Sequence, residues 1–229
     1  MPGGCTLMKI LIADDHAVVR HGLKQILADE YRRATFGEAS NAQEVLNQVW
    51  QHEWDVVVLD VTMPGRSGLE ALKEIRKSKP RLPVLVLSMH PEDQFAMRVL
   101  KSGASGYMTK ESAPAELVGA IKKVMNGGRY VSAALAEKMA AHLGTDLQKA
   151  PHERLSDREF LVLRMIASGK TVSQIAEDLS LSVKTISTYR ARILEKMAMA
   201  SNAELTHYAI QNKLVEWRGE AGDAPPAAV

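Results

Sequence analysis

The chain has 229 residues, with 29 Lys and Arg against 27 Asp and Glu, and its formal net charge is +2. This length allows one large domain or two small ones, and so small a charge means that any basic surface must be local. The single cysteine excludes an internal disulfide, and no apolar run approaches the roughly 18 residues of a membrane span. These features predict a soluble protein of the cytoplasm with no membrane partner.

Residues 8–127 alternate between short apolar runs and segments with helical periodicity. The predicted strands are 8–13, 34–39, 55–60, 83–88 and 106–109, and each is followed by a predicted helix, at about 16–29, 41–52, 67–78, 92–102 and 113–126. Strands and helices that alternate in this way are typical of a parallel sheet covered on both faces. The pattern predicts a five-stranded, doubly wound α/β domain. Ser112 is expected to cap the last helix, which should end at the sequence Asn-Gly-Gly.

The segment that follows, 128–151, has the composition of a linker that is partly helical. No strand is expected in it; residues 132–143 are rich in Ala and could form a helix, whereas residues 144–153 have the character of a loop. At the other end of the chain, residues 217–229 are rich in Gly, Ala and Pro and are expected to be a disordered tail.

Residues 152–216 have a purely helical pattern, which predicts a small all-α domain of four helices. Three of these helices open with a capping box, a Ser or Thr followed three residues later by Glu or Gln, and the fourth is expected to start at Ser182. The three boxes are Ser156 with Glu159, Thr171 with Gln174, and Ser201 with Glu204.

Polar side chains follow several of the predicted parallel strands at their carboxyl ends, where open α/β sheets bind ligands. Asp14 and Asp15 follow the first strand, Asp60 ends the third, Ser88 ends the fourth and Lys110 follows the fifth. Three neighbouring carboxylates repel one another, and oxygen ligands of this kind suit Mg²⁺ or Mn²⁺. A central carboxylate beside two cations and a hydroxyl group could carry a phosphoryl group, with Asp60 as the nucleophile.

Each of these residues also has a structural interpretation when it is taken alone. Asp14 could cap the next helix, Asp60 could be a turn residue, and Lys110 could be a solvated surface lysine. His16 is better explained as a first-turn helix residue than as a metal ligand. The structural interpretations need several coincidences at one sheet edge, and the sequence therefore favours a site.

The motifs around these residues make residues 8–127 resemble the receiver domain of two-component response regulators. They are ADDH at 13–16, LDVTMPGRSG at 59–68, LS at 87–88 and YMTK at 107–110. The resemblance implies that Asp60 is the phosphorylated residue. It implies that Asp15, Asp60 and the backbone carbonyl of Thr62 bind Mg²⁺, while Asp14 acts through water.

The resemblance also implies that Lys110 pairs with the phosphoryl oxygens. Ser88 and Tyr107 would then form a switch pair, in which the hydroxyl group moves to the phosphoryl group and the aromatic ring turns inward. This chain departs from the usual receiver pattern at two positions. Glu111 stands where many receivers have proline, and Met89 stands where many have a small residue. The larger Met89 side chain could shield the phosphoryl group from water.

Residues 172–197 contain two helices separated by a short turn near residues 179–182, and the second helix is basic. Between 183 and 197 there are four Lys and Arg and one Glu, a local charge of +3. Ile175, Ala176 and Leu179 should form the inner face of the first helix, and Ile186, Ile193 and Met197 that of the second. A cationic outer face with small residues suits insertion into a DNA major groove.

The segment 152–216 resembles the four-helix LuxR-type helix-turn-helix of NarL/FixJ-class regulators, along LSDREFLVLRMIASGKTVSQIAEDLSLSVKTISTYRARILEKM from 155 to 197. The resemblance implies that residues 182–197 form the recognition helix with its cap and that residues 201–212 provide a dimer contact. Tyr189 stands where histidine is frequent in the family. The expected DNA-binding residues are Lys184, Ser187, Thr188, Arg190, Ala191, Arg192 and Lys196.

Together the two resemblances imply a transcription factor that is phosphorylated by a cognate histidine kinase, binds double-stranded DNA and forms a homodimer when phosphorylated. Beyond self-phosphorylation from small donors and autodephosphorylation, no enzymatic activity is expected. Three alternatives remain. They are a Mg²⁺-dependent aspartyl-phosphate hydrolase, a LuxR-type regulator that senses a small ligand, and a receiver that works without phosphorylation. Hydrolases of the first kind usually carry a second Asp two residues after the nucleophile, where this chain has Thr62. A ligand sensor would have no use for the acidic cluster.

Overall fold

The computed structural model describes residues 7–63, 65–89, 93–142, 150–212 and 214–215, so the predicted tail at 217–229 lies outside the described residues. The chain forms two compact units, one up to residue 147 and one from residue 148 onward. Within the described residues, no helix is both long and apolar enough to cross a membrane.

The first unit is built on a five-stranded sheet in which all neighbouring strands are parallel. The strand order is β2-β1-β3-β4-β5, as expected for a doubly wound sheet. The sheet therefore confirms the predicted α/β architecture. The strands are β1 (Lys9–Ala13), β2 (Thr35–Ala39), β3 (Val56–Asp60), β4 (Val84–Ser88) and β5 (Gly106–Thr109).

Helices cover both faces of this sheet. Helices α1 and α5 pack against each other, as do α2 and α3. Leu27 of α1 and Leu117 of α5 are buried in one cluster with Ile10, Val58 and Leu87 from the central strands. Burial of the central strands on both faces explains why they are nearly continuous apolar runs. The helices are α1 (Ala17–Glu30), α2 (Ala42–Gln51), α3 (Gly68–Ser78), α4 (Asp93–Lys101) and α5 (Ala113–Met125).

Helix α3 begins directly against the end of β3. Ser67 and Glu70 form a capping box that the sequence analysis did not identify. The backbone N–H of Gly68 donates to the carbonyl of Val61 at 3.0 Å, and a Cβ atom at Gly68 would lie 1.9 Å from the carbonyl oxygen of Asp60. Only glycine permits this approach, which fixes the loop after Asp60 onto the helix.

Helix α5 differs from the prediction at its start and agrees with it at its end. Ser112 occupies the N-cap position but does not cap the helix, because its hydroxyl group donates instead to the carbonyl of Thr109. At the other end, Gly127 has a φ of +79°, and the N–H groups of Gly127 and Gly128 donate to the carbonyls of Val124 and Lys123. This is a Schellman motif, and it turns the chain back toward the sheet.

As expected, the described residues between α5 and the second unit form no strand, but one residue pairs with the sheet. Tyr130 forms an isolated parallel bridge with Gly106 of β5, because the Schellman motif returns the chain to the exposed edge of the sheet. The predicted Ala-rich helix is present as α6, at Ala133–His142. Ser132 accepts a hydrogen bond from the backbone N–H of Leu135 and so caps α6.

The part of the second unit that the structure describes contains helices and no strand, as predicted. Its helices begin with a 3₁₀ helix at Pro151–Arg154, in a segment that the sequence analysis treated as a loop. The capping boxes at Ser156 and Thr171 are confirmed, and Ser182 caps its helix. The box at Ser201 is only half formed, because Glu204 accepts from the N–H of Ala200 instead. The α-helices are α7 (Asp157–Ala167), α8 (Val172–Asp178), α9 (Val183–Met197) and α10 (Asn202–Gln211).

Candidate functional site

The strand register brings the predicted polar residues together at one edge of the sheet. Asp60 lies opposite Leu87, next to Ser88, and Ser88 lies opposite Thr109, next to Lys110. On the other side of β3, Ala13 of β1 lies opposite Leu59, so Asp14 follows β1 beside Asp60. The common direction of the strands therefore produces the cluster that the sequence predicts.

Lys110 joins the two buried carboxylates of this cluster. Its ammonium group lies 2.7 Å from Oδ2 of Asp60 and 2.6 Å from Oδ2 of Asp14. Both carboxylates are 1% exposed and the lysine side chain is 9% exposed. The resemblance gave Asp14 a role through water only, and the structure adds this direct ion pair with Lys110.

The electrostatic balance of Asp60 is set by burial and by charge. Burial is the main cause that raises the pKa of Asp60, Lys110 lowers it and the negative charge of Asp14 raises it, and the net result is a pKa of about 6. For Lys110, burial favours the neutral amine, but the two carboxylates outweigh it and the pKa is raised. At neutral pH Asp60 is therefore mostly ionised beside a charged lysine, which is the form needed in a nucleophile.

The residues present fit a divalent cation. One potential ligand atom from each of Asp14, Asp15, His16 and Asp60 lies within 4.8 Å of the others. Asp15 Oδ1 is buried and, among the described residues, has no hydrogen-bond donor, although Nδ1 of His16 lies 2.9 Å from it. The hydroxyl of Thr62 is also buried without a partner among the described residues. Carboxylates with unsatisfied oxygens are the ligands that hard cations prefer.

His16 has a larger part in this cluster than the sequence analysis gave it. It is the N-cap residue of α1, close to its predicted position in the first turn. Its backbone N–H donates to Asp14 Oδ1 at 2.9 Å, and its ring approaches both Asp14 and Asp15. Its side chain is mostly exposed, so it stands at the mouth of the cluster.

A network of charged residues contacts the backbone of Asp14, and it was not predicted from the sequence. Arg20 of α1 donates through Nη1 to the backbone carbonyl of Asp14 at 2.7 Å. Glu38 of β2 lies 3.5 Å from Nε of Arg20 and accepts a hydrogen bond from Lys24 at 2.8 Å. The only sequence signal was the helical spacing of Arg20 and Lys24 on one face of α1.

Both residues of the predicted switch pair are buried. Ser88 ends β4, and its carbonyl accepts a hydrogen bond from the N–H of Lys110 at 2.8 Å. Tyr107 is fully buried, and its ring meets that of Phe95 edge to face, with 6.4 Å between centroids. The ring therefore already occupies an inward position in this structure. Met89, directly after Ser88, is 65% exposed.

The second candidate region is the outer face of α9. Its inner face is as predicted, since Ile186, Ile193 and Met197 are buried against the rest of the unit. The predicted inner face of α8 is buried as well. Several predicted contact residues are exposed on the opposite side of α9: Lys184, Ser187, Thr188, Ala191 and Arg192.

The positively charged side chains of α9 differ in whether they have a partner within their own unit. Among the described residues, the side chains of Lys184 and Arg192 have no ion-pair partner, and both line a shallow groove of about 300 Å³. Lys196 instead pairs with the buried Glu159 of α7 at 2.6 Å, and Nε of Arg190 donates to Asn202 at 2.6 Å. Lys196 and Arg190 were predicted to contact DNA, and in the structure each has a partner within its own unit.

Two family models match the chain, one for each unit. Residues 10–122 match the response regulator receiver domain, and residues 153–209 match the bacterial regulatory proteins of the luxR family. The matches coincide with the unit that carries the acidic cluster and with the unit that carries α9.

Two response regulators match nearly the whole chain. The response regulator UvrY of Escherichia coli K12 is 36% identical over 209 residues, which cover 91% of this chain and 96% of the relative. The response regulator GacA of Pseudomonas aeruginosa is 38% identical over 211 residues, covering 92% and 99%.

Solved structures agree with these relatives. A LuxR-family response regulator from Aurantimonas is 35% identical with a TM-score of 0.56, and it covers 61% of this chain and 100% of its own. Salmonella RcsB, bound to a promoter with a phosphomimetic, is 29% identical with a TM-score of 0.58, covering 88% and 98%. The chain therefore belongs to the NarL/FixJ class of two-component response regulators, which are phosphorylation-regulated transcription factors with a LuxR-type DNA-binding domain.

Proposed function

We propose that Asp60 accepts a phosphoryl group from the phosphohistidine of a cognate histidine kinase, or from a small acyl phosphate. The observation that carries this proposal is the convergence of Asp14, Asp15, Asp60 and Lys110 at one sheet edge. A carboxylate oxygen of Asp60 attacks the phosphorus atom, the bond from phosphorus to the donor's nitrogen or oxygen breaks, and its electron pair stays on the donor. The product is an acyl phosphate on Asp60.

We propose that Asp15, Asp60 and the backbone carbonyl of Thr62 hold Mg²⁺, or Mn²⁺, with Asp14 acting through water. When bound, the cation would neutralise the charge that develops on the phosphoryl oxygens. The unsatisfied Oδ1 of Asp15 supports the role of this carboxylate as a ligand. The backbone N–H of Thr62 donates to Asp60 Oδ1 at 3.0 Å and orients the carboxylate.

The remaining buried polar groups would stabilise the phosphorylated form. Lys110 would transfer its contact from Asp60 Oδ2 to a phosphoryl oxygen, and the hydroxyl of Ser88 would donate to another. Thr62 replaces the second Asp that a hydrolase would use as an acid, so the acyl phosphate would persist and the protein would act as an acceptor, without enzymatic turnover.

We propose that the outer face of α9 enters the DNA major groove. Lys184 and Arg192 would contact phosphates, and Ser187, Thr188 and Ala191 would lie close to the base edges. Arg190 and Lys196 lie at the margin of this face, where their partners Asn202 and Glu159 hold them. Binding as a phosphorylation-dependent homodimer, with α10 at the dimer contact, would present two such helices to two half-sites.

The units are proposed to divide as a receiver at 8–127, a partly helical linker at 128–151 and a DNA-binding domain at 152–216, while the tail at 217–229 lies outside the described residues. Such a regulator would work in the cytoplasm, where both the kinase's catalytic domain and the chromosome are accessible.

The decisive experiment is phosphorylation of the purified full-length protein by acetyl phosphate and Mg²⁺, followed by intact mass. We expect one phosphoryl group on the parent and none on Asp60→Ala. Asp29→Asn is the matched control, because Asp29 is an exposed carboxylate on α1. A phosphoryl group retained on Asp60→Ala would overturn the assignment of the acceptor. If the parent takes up phosphate, its affinity for duplex DNA should then rise.

A further inference from the structure

The outer edge of β5 is covered by one residue of the segment that leads away from the receiver. The backbone N–H of Tyr130 donates to the carbonyl of Ser105 at 3.0 Å, and the carbonyl of Tyr130 accepts from the N–H of Tyr107 at 3.0 Å. We call these two hydrogen bonds the Tyr130 clasp. They satisfy backbone groups at the end strand of the sheet, which would otherwise face solvent.

The surrounding residues are shaped for this contact. A Cβ atom at Gly106 would lie 2.8 Å from both the Cβ and the carbonyl oxygen of Tyr130, so glycine is needed where the segment crosses the strand. The Tyr130 hydroxyl donates to Glu116 of α5, and Lys123 lies over its ring at 5.9 Å. The ring also packs against the sheet core beside α1 and α5. These contacts anchor the residue independently of its backbone hydrogen bonds.

The clasp joins two functional parts of the chain within a few residues. On one side it holds the backbone of Tyr107 in β5, the strand that leads to Lys110, and the Tyr107 ring is buried against Phe95. On the other side only two residues separate Tyr130 from the start of α6, and one of them, Ser132, caps that helix. Leu135 in the first turn of α6 is buried, so the start of the helix is fixed as well.

We propose that Tyr130 is a positioning residue that transmits a displacement of β5 to α6, and so to the connection with the DNA-binding domain. The inference rests on the proposed phosphorylation of Asp60. Lys110, which follows β5, would exchange its contact with Asp60 for a phosphoryl oxygen, and the resulting shift of β5 moves the N–H of Tyr107 that donates to the carbonyl of Tyr130. Tyr130 cannot absorb this shift by a local rotation, because Glu116 and the core hold its side chain. Residues 130–135 therefore follow the strand.

The test is amide hydrogen exchange of the full-length protein, with and without acetyl phosphate and Mg²⁺, after intact mass has confirmed phosphorylation. In the parent we expect phosphorylation to change deuterium uptake both in peptides covering β5 and in peptides covering residues 128–135. In Gly106→Ala, whose added methyl group displaces Tyr130, the change should persist at β5 and be lost at 128–135. The control is Gly119→Ala, because a Cβ atom there meets nothing within 4 Å.

A second variant tests the same contact in case Gly106→Ala misfolds. Tyr130→Ala leaves the strand intact but removes the contacts with Glu116 and Lys123, and it should reduce the response at 128–135 in the same way. The proposal is overturned if phosphorylation leaves 128–135 unchanged in the parent, or if both variants respond as the parent does. Failure of the parent to take up phosphate would instead refute the proposed function.

Discussion

Gly68 offers the sharpest link between a single backbone contact and the chemistry of Asp60. In Gly68→Ala, the new Cβ atom would lie 1.9 Å from the carbonyl oxygen of Asp60, whereas ordinary contact begins at 3.4 Å. The obstacle is backbone on both sides, so no side-chain rotation relieves it. The loop must open by about 1.5 Å, and overpacking of this kind costs about 1–3 kcal/mol of unfolding free energy.

The effect on phosphorylation should exceed the effect on stability. Displacement of a reacting group by about 1 Å can reduce a rate by about 100-fold, and the displaced backbone is that of Asp60 itself. We therefore expect the initial rate of phosphorylation by acetyl phosphate to fall by about two orders of magnitude in Gly68→Ala. Intact mass over time gives the rate, and urea unfolding gives the stability.

Gly22→Ala is the matched control, since a Cβ atom at that position of α1 has nothing within 4 Å. It should retain the parent's rate and gain slightly in stability from its better helix propensity. Parent-like phosphorylation and parent-like unfolding in Gly68→Ala would refute the argument that this contact fixes the acceptor. A loss of stability with an unchanged rate would refute only its catalytic part.

Three further outcomes are expected. Lys184→Gln should weaken binding to all duplex sequences alike and reduce the salt slope by about 1, measured by fluorescence anisotropy at several salt concentrations; a loss confined to one sequence would contradict a phosphate contact. Met89→Ala should speed loss of the phosphoryl group by admitting water, and equal autodephosphorylation rates would exclude shielding. Glu159→Gln should lower the unfolding free energy by about 1 kcal/mol at neutral pH, a modest value because Lys196 is 41% exposed. Burial opposes ionisation of Glu159, but the hydrogen bonds from Lys196 and Ser156 hold its pKa below the ordinary value of 4.5. The stabilisation is therefore present above pH 4.5 and is lost as pH falls through the folded pKa. A difference in unfolding free energy between the parent and Glu159→Gln that persisted in acid would contradict the ion pair.

The acidic cluster could be predicted because strand direction alone brings its members together. Asp60 follows four consecutive apolar residues, and in a parallel sheet every strand ends at the same edge. The inner faces of α8 and α9 could also be predicted, because helical periodicity separates buried from exposed positions without knowledge of the partner helix. In each case a local pattern was sufficient.

Contacts between distant segments of the chain could not be predicted from a local sequence pattern. The hydrogen bond from Arg20 to the carbonyl of Asp14 has no signature in residue type, since any carbonyl could accept it. Tyr130 reaches β5 only because the chain reverses at Gly127, and its partners are backbone groups. Ser112 failed as a cap because a nearby carbonyl competes for its hydroxyl group, a balance that residue preferences do not capture.

The ion pair between Lys196 and Glu159 has a consequence for redesign of the DNA-binding domain. Glu159 also accepts from the N–H of Ser156, so one buried carboxylate fixes both the start of α7 and the last turn of α9. An α9 sequence transplanted from another regulator must keep this lysine and the three buried apolar positions, or the helix will dock at a different angle. On the face that is proposed to contact DNA, the positions open to exchange are those of Lys184, Ser187, Thr188, Ala191 and Arg192.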